Sequence, residues 1–279
     1  MKPILAASDL SPRGAAVQRR AAALARTRGA PLELLHVLGR FASAADERSA
    51  HARLHLAAAN LRDDFGIAVW VSLARGRVAA CVAERARGVD ARMVVMGAGR
   101  ASGWRRLLQA SRAHAVQRAV RSPVLAVATG GASAHRRVLF ASDLSGEDAA
   151  TLRAVRRDWP LASMLLLHVQ SWPVSADHRD PAETQAWLAV RRFAVQHDLE
   201  RAISLEAALG DVARLLRLRA REFGADLLVL SPERSRLKAL LGASVTQSVL
   251  GDPPCDVLLA PQPAPGPAFR PVGIRSVLR

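Results

Sequence analysis

The chain is poor in cysteine and has no long apolar run. These absences argue against a disulfide-rich secreted protein and against a membrane-spanning protein. Cys81 and Cys255 are the only cysteines, one in each half, and neither has a Cys or His nearby at metal-ligand spacing. They are interpreted as buried thiols in a reducing compartment. No stretch approaches the roughly 18 consecutive apolar residues of a membrane-spanning helix. No charged leader with an apolar run precedes the first strand-like segment, so the sequence predicts a cytoplasmic protein without membrane contact.

The motifs of common catalytic sites are also missing. The sequence contains no nucleophile elbow, paired carboxylates, zinc-ligand spacing or intact Walker loop. His51 and His55 stand four residues apart on a predicted helix, the spacing of a two-histidine metal face, but neither an intervening Glu nor a third ligand accompanies them. The sequence therefore predicts no metal site and no catalytic turnover.

Lysine is nearly absent, and the net charge of +16 comes almost entirely from arginine. Residues 1–132 hold 21 basic and 8 acidic residues, whereas residues 133–279 hold 19 and 16. This asymmetry favours contact between the first half and a polyanion. The alternatives are a solvated arginine-rich surface and the compositional drift of a GC-rich genome.

A near-repeat divides the chain into two halves. The segment "ILAASDLSP" from Ile4 returns as "VLFASDLSG" from Val138, 134 residues later. A helical pattern follows each copy; Ser11-Pro12 suits the start of the first helix, and Ser145 with Asp148 resembles a capping box. Further matching segments follow in the same order. They are strands at 31–37 and 163–169, helices at about 43–65 and 180–197, strands at 67–73 and 201–207, helices at 75–88 and 209–222, strands at 91–97 and 225–231, and fifth strands at 122–128 and 255–261.

This alternation predicts an α/β fold made of two tandem doubly wound domains. Each domain is expected to be a five-stranded parallel sheet with helices on both faces. The predicted domains are residues 1–130 and 136–261, with "GGASAH" (130–135) as linker and a Pro- and Gly-rich, disordered tail over 262–279. The fifth strands are short and come last, so we expect them at the sheet edges, where the halves would meet.

Together these segments resemble the universal stress protein family in its tandem form. The resemblance is carried by Asp9 and Asp143 after the first strands, by the Leu-His-Val endings of the second strands, and by "VVMG" (94–97), "SPVLAV" (122–127) and "LLGASVTQSVL" (240–250). It implies an adenine nucleotide alpha-hydrolase-like fold and a role in stress survival. One subgroup of the family binds ATP.

The resemblance also implies a phosphate loop after the fourth strand. In the ATP-binding subgroup this loop reads Gly, two residues, Gly, nine residues, then Gly-Ser or Gly-Thr, because glycines let backbone N–H groups approach the phosphates. In the first half Gly97 and Ser111 fill the first and last positions, while Arg100 and Ala110 replace the glycines between them.

The second copy of this loop departs further from the pattern. Ser231, Arg234 and Ala243 stand at its three glycine positions, Ser244 is retained, and the loop is one residue shorter. The first half is therefore the better nucleotide-binding candidate, and it also carries Arg105, Arg106 and Arg112. The residues expected at nucleotide sites are Asp9, Val37, Gly97, Gly99, Arg100 and Ser111 in the first half, and Asp143 and Ser244 in the second.

Several of these residues have structural alternatives. Asp9 and Asp143 would serve equally well as turn or capping residues. His36 and His168, at the ends of the second strands, are interpreted as structural, because no nucleophile or acidic partner accompanies them. Trp104 would stack on a base or anchor its loop by packing.

The favoured function is that of a non-enzymatic tandem universal stress protein, a binding and signalling module in stress response. It would bind an adenine nucleotide such as ATP weakly in the first half, without a metal, and a homodimer is one assembly open to it. The alternative is a polyanion- or nucleic-acid-binding accessory protein that uses the basic first half. A third interpretation is a nucleotide-hydrolysing enzyme of the same sheet class.

Overall fold

The computed structural model describes residues 1–98, 104–128, 134–171, 179–199, 202–231 and 245–261, without the side chains of 104–111 and 179–180. Gly99, Arg100 and Ser244, most of the predicted linker, and the tail over 262–279 lie outside these ranges. The side chains of Trp104, Arg105, Arg106 and Ser111 also lie outside them.

The first half alternates five strands with four helices. These are β1 (Ile4–Ala7), α1 (Pro12–Thr27), β2 (Leu32–Leu38), α2 (Ala44–Phe65), β3 (Val69–Arg75), α3 (Val78–Gly88), β4 (Met93–Gly97), α4 (Trp104–Ala119) and β5 (Val124–Val127). The second half repeats the order with β6 (Arg137–Ser142), α5 (Gly146–Asp158), β7 (Ser163–Gln170), α6 (Arg179–Gln196), β8 (Ser204–Leu209), α7 (Val212–Phe223), β9 (Leu227–Leu230), α8 (Val245–Gly251) and β10 (Asp256–Leu259).

The strands form one sheet of ten, in the order β3-β2-β1-β4-β5-β10-β9-β6-β7-β8. Pairing is parallel within each half, and β5 pairs antiparallel with β10, which sets Leu125 opposite Leu258. The predicted α/β fold is therefore confirmed, and the fifth strands meet within one chain as expected. Each fifth strand covers an edge that the other half would leave unpaired.

Both faces of the sheet are covered by helices. One apolar layer includes Val17 of α1, Leu54 of α2, Leu152 of α5 and Val190 of α6. The other layer includes residues of α3, α4, α7 and α8, among them Val116 and Val249. Each layer draws on both halves, so the core is continuous across the β5–β10 junction. Gln117 of α4 reinforces the junction by donating from Nε2 to the Ala260 carbonyl, 3.0 Å away.

Some predicted boundaries and burials need correction. The third strands begin and end later than predicted, because Gly66 ends α2 in the left-handed region and the strands run on to Gly76 and Gly210, whose φ angles are 143° and 146°. Those two glycines end strands, and the next helices begin two residues later. Cys81, predicted to be buried, is only half-buried, because α3 turns this residue away from the apolar layer that covers Cys255.

Candidate functional site

A cleft of about 810 Å³ opens in the first half at the carboxyl ends of β1, β2, β4 and β5. Ligands of open α/β sheets bind at this end, beside the strands where the chain order reverses. Residues predicted from the sequence to contact a nucleotide line the cleft, namely Asp9, Val37 and Gly97. Gly14, Arg13, His36 and Arg112 also line it.

Asp9 shapes the turn between β1 and α1. Its Oδ1 accepts hydrogen bonds from the Ser11 backbone N–H at 3.0 Å and from the Ser11 hydroxyl at 2.6 Å. Ser11 Oγ in turn accepts from the Gly14 backbone N–H at 3.0 Å and caps α1. Asp9 therefore stabilises the turn, which is the structural role offered above beside ligand contact. It is also an exposed residue of the cleft wall.

His36 ties the end of β2 to the end of β1. Its Nδ1 lies 2.8 Å from the Ser8 backbone oxygen. Because a carbonyl only accepts, Nδ1 carries a proton, and in the neutral ring Nε2 is then a hydrogen-bond acceptor. His168 repeats the contact with the Ser142 carbonyl at 2.9 Å. These contacts agree with the structural interpretation of both histidines, and they fix the strand ends that border the cleft.

Gly14, in the first turn of α1, was missed as a site residue by the sequence interpretation. A Cβ at this position would lie 2.5 Å from Asp9 Oδ1 and 2.7 Å from Ser8 Oγ, so a side chain would require both of these groups to move. Ser8 Oγ accepts from the Leu10 N–H and from Gln18 Nε2, which holds the hydroxyl in place. The available signal was an isolated glycine inside a helical pattern, where glycine is unfavourable and its presence suggests a packing or functional reason.

The electrostatics of the cleft favour an anion. The first turn of α1 contains no acidic residue, so no carboxylate of the helix itself offsets the positive end of its dipole. Arg13 and Arg112 add exposed positive charge to the wall. Arg118 and Arg121, which follow in the sequence, are exposed but are not among the lining residues.

The second half differs at the corresponding place. Asp148 was predicted to complete a capping box with Ser145, and this is only half correct. Ser145 Oγ accepts from the Asp148 backbone N–H, but Asp148 Oδ2 accepts from the Ser142 hydroxyl at 2.6 Å and from the Asp143 N–H at 2.8 Å. The Ser145 N–H bonds instead to Asp143 Oδ1, so the reciprocal bond of a capping box cannot form.

Burial raises the pKa of Asp148 above its ordinary value. The nearby Asp143 carboxylate adds to this rise, while the hydrogen bond from the Ser142 hydroxyl opposes it. The Asp148 carboxylate therefore lies in a protein-made site, hydrogen-bonded to the end of β6 and to the residue that follows it.

The described residues contain no group of three or more His, Cys, Asp or Glu side chains placed to hold a metal ion. The rings of His51 and His55 have their centroids 4.4 Å apart on the exposed face of α2, without a third ligand. Within the same described ranges, no helix has the length and apolar character needed to span a membrane.

Comparison with known proteins identifies the family. The universal stress protein family matches the chain twice, over residues 1–128 and 130–261. A universal stress protein of Archaeoglobus fulgidus is 18% identical with a TM-score of 0.69, and the alignment covers 93% of this chain and 96% of that one. A putative universal stress protein of Pseudomonas aeruginosa is 19% identical with a TM-score of 0.69, covering 94% and 93%.

At these identities the two structures show a shared fold and nothing finer. No curated protein matched the chain. The family match covers nearly every residue before the tail and falls separately on the two halves of the sheet. The chain therefore belongs to the universal stress protein family, in a tandem form with two family units in one polypeptide.

Proposed function

We propose that this chain is a non-enzymatic binding and signalling module of the cytoplasmic stress response, and that its first half binds an adenine nucleotide. The observation that carries the proposal is the cleft beside β1 and β4, which combines Asp9, Gly97 and an anion-favouring helix end. Its volume of about 810 Å³ is in the range of small-molecule sites. Membership of a stress-response family supports the cellular role.

The two ends of the cleft suit the two ends of a nucleotide. Asp9 and Val37 stand at the ends of β1 and β2, where the family resemblance implies contact with the adenine and ribose. Gly97, Arg13 and Arg112 offer a close backbone approach and positive charge for the phosphates. The replaced glycines of the loop predict weak binding.

Absence of turnover is part of the proposal. His36, the one histidine lining the cleft among the described residues, uses Nδ1 to hold the Ser8 carbonyl, and no described acidic side chain orients it as a general base. Incubation with ATP should therefore release no phosphate above the level of a heat-treated sample. Release that disappears on substituting Ser111 would support the enzyme alternative.

Calorimetry with ATP on the full chain tests the binding. We expect one site per chain, with Arg112→Glu weakening it about tenfold or more, because a cation in the cleft wall becomes an anion. Arg118→Glu is the matched control, since it makes the same change on the same helix outside the cleft. Equal losses in the two variants would mean that ATP responds to the overall charge of the first half.

The charge asymmetry supports one competing function, the binding of a nucleic acid by the first half. Its signature is an affinity for duplex DNA or RNA that falls steeply with salt and does not depend on the cleft. If ATP fails to bind while such an affinity is measured, the nucleic-acid function replaces the proposed one.

A further inference from the structure

Gly14 and Asp148 occupy the same position in the two copies of the repeat. Both lie six residues after the serine that ends the shared "Ala-Ser" pair, and both belong to the first turn of the helix after the first strand. The residues before them also differ, with Arg13 in the first copy and Glu147 in the second. Two adjacent changes therefore alter the formal charge of this helix turn from +1 to −2.

The Asp148 carboxylate contacts the counterparts of cleft-wall residues. In the first half Ser8, Asp9 and Gly97 line the open cleft. Their counterparts in the repeat are Ser142, Asp143 and Ser231. The Ser142 hydroxyl and the Asp143 backbone N–H both donate hydrogen bonds to Asp148 Oδ2, at 2.6 Å and 2.8 Å.

Asp148 is 1% exposed, so this carboxylate is enclosed by the protein. Its position at the first turn of α5 is also the position at which the corresponding helix of the first half would favour an external anion. In the second half, the Asp148 carboxylate itself occupies this anion-favouring position at the first turn of α5. The Ser142 hydroxyl and the Asp143 backbone N–H both donate to it.

We propose that Asp148 is a built-in carboxylate that closes the corresponding place in the second half to anions, and that Gly14 is the residue that leaves the cleft of the first half open. This inference rests on the proposed function for the ligand of the first half. The inference itself concerns a single repeat position, and it assigns to that position the difference in anion binding between the two copies. An incoming phosphate would meet both the volume and the charge of the Asp148 side chain.

The test uses the full chain and calorimetry with two probes, ATP and inorganic tripolyphosphate. Asp148→Gly removes the carboxylate and recreates the glycine that the first copy tolerates at this position. Asp148→Asn is its matched control, because it removes the charge and keeps the volume. We expect Asp148→Gly to bind tripolyphosphate at the second half about tenfold more tightly than Asp148→Asn does. The added binding should appear as an increase in the number of sites per chain.

The reciprocal variant is Gly14→Asp, with circular dichroism to verify that it folds. We expect it to weaken binding at the first half by about tenfold or more, because the new carboxylate occupies the cleft and repels phosphate. If Gly14→Asp binds as the unmodified chain does, the inference is overturned.

The outcomes separate this inference from the proposed function. Two ATP molecules bound per unmodified chain would overturn the inference and leave nucleotide binding intact. No ATP bound by the unmodified chain would reject the proposed function. In that case a gain of tripolyphosphate binding in Asp148→Gly over Asp148→Asn would still support the role of Asp148, and no gain would overturn it.

Discussion

Arg20 Nε lies 2.9 Å from Asp256 Oδ2, and this ion pair joins helix α1 of the first half to strand β10 of the second. Both side chains are almost completely buried, at 5% and 0% exposed. His135 Nε2 lies 3.1 Å from the same carboxylate oxygen, and the Ala128 backbone N–H donates to Asp256 Oδ1 at 2.9 Å. The junction of the halves thus combines a paired sheet edge with a buried, hydrogen-bonded charge.

Asp256→Ala should destabilise the whole chain strongly. It removes the carboxylate that two buried basic side chains contact, and breaking a buried pair in this way costs about 3–5 kcal/mol. Asp64→Ala is the control, since its bond to Arg19 is about half-exposed and worth about 1 kcal/mol or less. Urea unfolding of both variants measures the difference, and a loss of similar size in each would contradict the expectation.

The Asp256 pair also predicts an acid-sensitive junction. Burial by itself raises the pKa of Asp256, but the hydrogen bond from His135 and the positive charge of Arg20 hold the pKa below its ordinary value of 3.8. The carboxylate therefore contributes stability above pH 3.8, and this contribution disappears as the pH falls through the lowered pKa. Unfolding free energies across this acid range should converge for the unmodified chain and Asp256→Ala; a constant gap would contradict the assignment.

Asp148→Asn should have the opposite pH dependence. The folded-state pKa of Asp148 is raised, so its contribution to stability is complete below the ordinary value of 3.8 and is lost as the pH rises through the folded value. The amide has no such loss. The stability of the variant relative to the unmodified chain should therefore rise as the pH passes through this window, as measured by urea unfolding. A difference between the two proteins that does not change with pH would contradict the assignment.

His36 and His168 form a matched pair, so variants of the two can distinguish an effect on stability from an effect on ATP binding. Their bonds to Ser8 and Ser142 carbonyls are nearly identical, so alanine at either position should cost about 1 kcal/mol of stability. Only His36→Ala should also weaken ATP binding, because His36 borders the first cleft. Equal effects of both variants on ATP affinity would show that His36 acts only through the general stability of the fold.

The two cysteines should differ in reactivity. Burial raises the pKa of Cys255 to about 12, so its thiol stays protonated near neutral pH, whereas Cys81 is half-buried on α3. Iodoacetamide on the folded chain should modify Cys81 first, and peptide mass spectrometry identifies the modified residue. Denaturant should make both react; modification of Cys255 first in the folded chain would contradict its burial.

Much of the fold was predictable because it depends on local patterns that occur twice. The apolar runs around Val95 and Val229 marked parallel strands covered on both faces, and the Ser-Asp-Leu-Ser segments marked the turns before α1 and α5. Pairing of the fifth strands was also predicted, because a short last strand leaves an edge to cover. Strand ends at Gly76 and Gly210 were missed, because a glycine suits the end of a strand as well as the start of a helix.

The ion-pair partners of residues that lie far apart in the sequence were not predictable. Arg85 of α3 contacts Glu33 on β2 through its Nε at 2.5 Å, and Arg219, at the same repeat position on α7, contacts Glu206 on β8 at 2.6 Å. The same arginine thus meets a carboxylate from a different strand in each half. A linear pattern shows the arginine twice but cannot show which strand supplies its partner.

The sequence by itself determined the duplicated α/β fold and the family, and it led to the hypothesis that the first half is the better nucleotide site. It did so because strand and helix periodicity and glycine usage are local properties of the chain. Only the tertiary structure decided that the Asp148 carboxylate bonds Ser142 rather than the Ser145 backbone N–H, that a side chain at Gly14 would press on Asp9 and Ser8, and that Arg20 meets Asp256. These contacts depend on where strand ends and helix turns meet in space, and the position of a residue along the chain does not specify its neighbours there.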